Sequence, residues 1–173
     1  MALFKKILVP VDFEPASDEA VEQGRAVAAG EHHVEFSSAS LRAVETAATL
    51  ARESGGKLVL VHITPTMHSS AMYTGPVSLP TGVIEEIEAK AKSTSLLALQ
   101  HLKNTICSGI PVEHAIGPGQ PAQAVLDEAV RIEADLIVMA ASGRSRVARF
   151  FVGSTADRII RSAPCPVLVI PSS

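Results

Sequence analysis

The run LIVMAASGRSRVARFFVGSTADRIIR, residues 136–161, decides how this chain is read. Its opening, Leu136 to Ala140, is apolar and of the right length for a buried strand. The run then breaks at Ser142-Gly143, passes Arg144, Arg146 and Arg149, and reaches a second glycine, Gly153. Ser154-Thr155-Ala156-Asp157 follows with the S-x-x-D spacing of a helix start. Strand, glycine, basic loop, glycine and capped helix together make a candidate anion site. Glycines let the backbone approach a ligand, and a helix start offers unpaired N–H groups at a positive dipole end. The same residues also suit an ordinary strand–helix connection, because isolated glycine patterns are weak signals.

Outward from this run the chain shows four more strand-like segments. These are Lys5 to Asp12, Lys57 to Ile63, Val112 to Gly117 and Pro166 to Pro171. Helical patterns separate them at about 38–53, 81–106, 120–133 and 154–162. Strands rich in Val, Ile and Leu that alternate with helices predict an α/β fold. The expected form is a three-layer, doubly wound, five-stranded parallel sheet of Rossmann-like type. In such sheets ligands sit beyond the carboxyl ends of the strands, where the winding reverses. Asp12, Ile63 and residues 140–143 should therefore share one crevice. The loop-like stretch 69–80, SSAMYTGPVSLP, follows the second strand as a plain surface loop or a flap near that crevice.

The 173 residues suit a single domain spanning 1–173. With 47% hydrophobic and 19% charged residues, and a mean hydropathy of +0.28, the chain has a soluble profile with much of it buried. A net charge of −3 gives no sign of nucleic-acid or anionic-membrane partners. No apolar run is long enough for a membrane span, and the opening MALFKKILVPVD does not read as a signal peptide, so the expected location is cytoplasmic. Cys107 and Cys165 form neither a metal spacing nor a disulfide framework, and the six histidines show no metal-site pattern. His62, inside a strand, reads as a hydrogen-bonded core or rim residue.

Residues 11–29 and 34–52 align without gaps: Val11 with Val34, Phe13 with Phe36, Ser17 with Ser40, Ala20 with Ala43, Val21 with Val44. This suggests a tandem duplication of a strand end and the helix after it. Only one copy can occupy the helix position between the first two strands. The second has the better apolar stripe, Leu41, Val44, Ala48 and Ala51, and runs into the stop Gly55-Gly56. The first carries Gly24 mid-helix, at a cost of about 1 kcal/mol relative to Ala. The second copy is therefore expected on the sheet, with residues 14–36 as an insertion beside the crevice.

VPVDF at 9–13, LVLVHI at 58–63, the segment 140–154 and APCPVLVIP at 163–171 together resemble the universal stress protein family. Its nucleotide-binding members carry G-x2-G-x9-G-[ST] after the fourth strand. Gly143, nine intervening residues, Gly153 and Ser154 fit that spacing, with Ala140 where the first glycine falls. The resemblance implies a five-stranded domain that binds ATP, with magnesium as an accompanying ion, and that forms a homodimer through its last strand, Val167, Leu168, Val169 and Ile170. By the same resemblance Pro10, Val11, Asp12 and Ile63 surround adenine and ribose. Met139, Ala140, Gly143, Arg144, Gly153, Ser154 and Thr155 wrap the ribose and phosphates.

Chemistry agrees at three positions. Asp12 at a strand end suits hydrogen bonds from sugar hydroxyls, the alternative being a helix cap or a turn carboxylate. Ser154 suits a phosphate or a plain N-cap. Arg144 is placed to steer phosphate. No catalytic residue is assigned: the chain has no Walker sequence, no G-x-S-x-G elbow and no H-E-x-x-H. Three functions follow in order: a cytoplasmic ATP-binding stress protein with a regulatory role, a protein-interaction module without nucleotide, and a slow ATPase or autokinase.

Overall fold

The computed structural model describes residues 3–64, 81–141 and 153–171. Gly143, Arg144, Arg146, Arg149 and the stretch 69–80 lie outside the described residues.

The element order is β1 (Lys6–Pro10), β2 (Phe13–Pro15), α1 (Asp18–Glu22), β3 (Val27–Ala29), β4 (His32–Phe36), α2 (Ser38–Ser54) and β5 (Lys57–Thr64). There follow α3 (Thr81–Asn104), β6 (Val112–Pro118), α4 (Pro121–Arg131), β7 (Leu136–Ala140), α5 (Ser154–Ser162) and β8 (Val167–Ile170). Five strands form one parallel sheet in the order β6-β5-β1-β7-β8, the α/β architecture expected from the alternating apolar runs. The chain winds from β1 toward β6 and then returns to lay down β7 and β8 on the other side. The switch point therefore falls between the carboxyl ends of β1 and β7.

Period-two alternation divides each central strand between two cores. Ile7 and Val9 of β1, Leu58 and Leu60 of β5, and Leu136 and Val138 of β7 join the core under α2 and α3. Leu8, Val59, Val61, Ile137 and Met139 point the other way, toward α4 and α5. Removing a Leu or Ile side chain of this kind from water stabilises the fold by about 1.5–3 kcal/mol.

Helix α2 is the second copy of the repeat, and it lies on the sheet. Its buried face, Ala39, Ala43, Val44, Ala47, Ala48 and Ala51, packs chiefly on β7. The alanines bring the helix backbone close to the sheet. Ser37 caps the helix, its Oγ accepting the Ser40 N–H at 3.1 Å. Gly55 ends it in the left-handed region at φ 66°, where glycine carries no Cβ penalty. Lys57 N–H then donates to the Lys5 carbonyl at 2.9 Å, starting β5 beside β1.

Residues 13–36 take a form the repeat did not foretell. They make a three-stranded antiparallel sheet, β2-β4-β3, and a helix of one turn. Helix α1 stops at Glu22, just before Gly24 at φ 67°. The repeat partners Phe13 and Phe36 become cross-strand neighbours, with ring centroids 5.4 Å apart in an edge arrangement. Arg25 pairs with Glu35 across the same small sheet. Ala29, Val34 and Phe36 join the core beside α3, so the segment is anchored by apolar contact and by pairing with itself.

Neither cysteine has the surroundings of a reactive thiol. Cys107 is buried, and burial pushes its thiol up to about 11 against the lowering influence of Arg52. Burial, with Asp135 adding to it, also raises the Cys165 thiol. For Cys107 the folded state favours the neutral form, so stability is fully present below the ordinary value of 9.0 and falls as pH climbs toward about 11. Urea midpoints should therefore drop between pH 8 and pH 10 in the wild type. The drop should be smaller in Cys107→Ala, and equal drops in both proteins would contradict this assignment.

Candidate functional site

A crevice of about 600 Å³ opens beyond the carboxyl ends of β1, β5 and β7, at the switch point. Its volume lies within the range of small-molecule sites, roughly 300–1,000 Å³. Pro10, Val11 and Asp12 enter it from the end of β1, Ile63 from β5, and Met139 and Ala140 from β7. Gly153, Ser154 and Thr155 enter from the start of α5. The structure thus brings together every residue the sequence assigned to this site, except Gly143 and Arg144, which lie outside the described residues. The Ala140 methyl and the 13–36 segment leave the crevice open, the latter contributing Phe13 to the wall.

One end is built to meet an anion. Gly153 N–H donates to the Ala141 carbonyl at 3.0 Å, closing the base of the connection between β7 and α5. Gly153 itself, not Ser154, is the N-cap, and among the described residues no side chain caps the helix. The S-x-x-D pattern therefore does not form a capping box. Ser154 is already the first helical residue, and Asp157 is held by Arg161 at 2.9 Å. The first intrahelical bond at this end runs from Asp157 N–H to the Gly153 carbonyl at 2.9 Å. The amides of Ser154, Thr155 and Ala156 are left with no acceptor in the preceding turn. They stand at the positive end of the helix dipole, bordering the crevice.

The other end carries a carboxylate on a braced backbone. Val11 N–H donates to the Val61 carbonyl at 2.8 Å. The Val11 carbonyl accepts from His62 Nδ1 at 2.9 Å, so Nδ1 carries the proton. The His62 ring stacks on Phe13 with centroids 3.9 Å apart and planes 19° from parallel. Asp12, exposed in the crevice between Val11 and Phe13, is thereby fixed from both sides. It is the one charged residue among the described residues of the lining.

Sequence reasoning took His62 as a hydrogen-bonded core or rim residue, and it is buried and bonded in that way. It missed Phe13 as wall, and also Ser40, Val61 and Pro121. The adjacency of Phe13 to Asp12, and of Val61 and His62 to Ile63, was the available signal. Ser40 gave none, since it reaches the crevice only because α2 docks where it does.

Among the described residues β8 pairs with β7 alone, at the sheet edge, and Leu168 is 37% exposed. Among the described residues no three His, Cys, Asp or Glu side chains form a group fit for a metal ion. Nor is any described helix long and apolar enough to cross a membrane.

Comparison with known proteins bears on the family and the fold. YxiE, a universal stress protein of Bacillus subtilis, is 27% identical over 139 residues, covering 79% of this chain and 94% of its own. Two solved structures share the fold. A universal stress protein in complex with cAMP superposes with a TM-score of 0.60 at 21% identity, covering 99% of both chains. A universal stress protein family protein from Arabidopsis thaliana with AMP bound has a TM-score of 0.61 at 18% identity, covering 98% of this chain and 92% of that one. The family model described as "Universal stress protein family" matches residues 33–171, and the chain belongs to that family.

Proposed function

We propose that this universal stress protein binds an adenine nucleotide across the carboxyl edge of its sheet, with the sugar toward Asp12 and the phosphates toward the start of α5. The observation that carries this reading is the crevice, bordered by the Asp12 carboxylate on one side and, on the other, by a helix N-terminus that no described side chain caps. The two polarities match a nucleotide: hydroxyls that donate to a carboxylate, and phosphate oxygens that accept from amides. The AMP and cAMP held by structural neighbours support the same class of ligand.

ATP is the proposed physiological ligand, with Gly143 and Arg144 completing the phosphate end. Magnesium would come in on the phosphates, keeping several of its waters as it commonly does. Without an assigned nucleophile or base the role is sensing or storage rather than rapid turnover, in a cytoplasmic stress-response or regulatory setting. We read residues 14–36 as an insertion in a single domain. Titration calorimetry with ATP and magnesium tests the nucleotide reading: a saturable heat supports it. No heat and no thermal shift at millimolar ATP would favour a nucleotide-free interaction module.

Two copies are proposed to pair through β8, whose outer edge is paired with no described strand, over a length limited by Pro166 and Pro171. Leu168→Arg places a charge beside that edge and is expected to convert a sedimenting dimer to monomer. A wild type that sediments as monomer, or a variant that stays dimeric, would refute the assignment.

A further inference from the structure

Ser40 stands out among the crevice residues because it is a buried polar residue whose hydroxyl hydrogen bonds to no described residue. The residue is 2% exposed and sits in the first turn of α2, among the small apolar residues that dock this helix on the sheet. Its backbone N–H is satisfied by Ser37 Oγ at 3.1 Å. Its own Oγ has no hydrogen-bond partner among the described residues, yet the residue lines the crevice. Alanine is the rule on this face, at Ala39, Ala43 and Ala47. A hydroxyl there is an exception that the packing does not require, and it stays accessible from the crevice rather than sealed in the core. Water or a ligand in the crevice can satisfy it.

The two helix starts that face the crevice differ in what they offer. At α5 no described side chain takes up the leading amides, and an anion can. At α2 the Ser37 hydroxyl has already taken the Ser40 amide, so this end does not compete for phosphate. What it presents is a neutral group able both to donate and to accept. Asp12 on the same crevice accepts only, when ionised. A sugar carries hydroxyls that need both kinds of partner.

We propose that Ser40 is a specificity-determining residue that hydrogen bonds a ribose hydroxyl of the bound nucleotide, complementing Asp12. This rests on the nucleotide reading above and names a contact within it. The test measures AMP, 2′-deoxy-AMP and 3′-deoxy-AMP against the wild type and Ser40→Ala by calorimetry. Removing an unpaired hydroxyl from a helix face of alanines should leave the melting temperature unchanged or raised, so the variant will fold. AMP affinity is expected to fall about 3- to 10-fold in the variant, the worth of one neutral hydrogen bond. One of the two deoxy analogues should show a deficit in the wild type that disappears in Ser40→Ala. If the variant binds all three nucleotides as the wild type does, Ser40 is satisfied by water alone and the proposal is overturned. The same holds if AMP weakens but both deoxy deficits persist unchanged. If the wild type binds no AMP, the nucleotide reading fails first, and the two failures are distinguishable.

Discussion

Replacing Asp12 with alanine is expected to weaken AMP binding by roughly 10- to 100-fold, the range of one or two hydrogen bonds to an ionised acceptor. The expectation rests on how the residue is held. Val11 is tied to Val61 through its amide and to His62 through its carbonyl, and Phe13 is fixed by its stack on His62. Both neighbours of Asp12 are thus held, so its backbone position is set before a ligand arrives and less ordering is needed on binding. Asp12→Asn keeps an acceptor of the same shape and loses the charge, and should fall between wild type and alanine. Asp12 is exposed, so both variants should keep the core, and their melting temperatures are measured alongside as the control for folding. Calorimetry with AMP decides the matter: unchanged affinity in Asp12→Ala would remove the sugar end of the proposed site.

The second large effect concerns the fold. Gly56→Ala is expected to destabilise the chain by about 2–4 kcal/mol, while Gly55→Ala costs about 1–2 kcal/mol. The two glycines are adjacent but resist substitution for different reasons. Gly55 has φ 66° and open space around an added Cβ, so alanine there suffers only the left-handed backbone penalty. At Gly56 an added Cβ would lie 2.3 Å from the Phe4 carbonyl oxygen, a backbone atom that cannot swing aside. Relief means moving the start of β1 away from β5, at the centre of the sheet. A drop in melting temperature of roughly 5–15 °C for Gly56→Ala, against a smaller one for Gly55→Ala, is the expected scan result. Equal losses at the two positions would contradict the steric account.

The parallel sheet was legible because its strands are buried on both faces and read as unbroken apolar runs. The docking of α2 was legible because one copy of the repeat kept its stripe and its glycine stop while the other was interrupted at Gly24. The small sheet was not legible. Residues 13–15, 27–29 and 32–36 become strands by pairing with one another, and Phe13 meets Phe36 only after the chain has turned twice. Local propensity does not carry that information. The crevice residues nearest the strand ends followed from topology and from the family's spacing. Ser40 and the uncapped state of α5 depended on where each helix begins, which differs from the cap patterns by single residues.

The central claim is that Asp12 and the start of α5 receive the two ends of one adenine nucleotide. A crystal structure of the protein grown with AMP tests it most directly. The account predicts the nucleotide in the crevice between β1 and β7, with its ribose hydroxyls at Asp12 and its phosphate at the amides of Ser154 and Thr155. A crevice closed by side chains, or AMP bound away from the switch point, would contradict it.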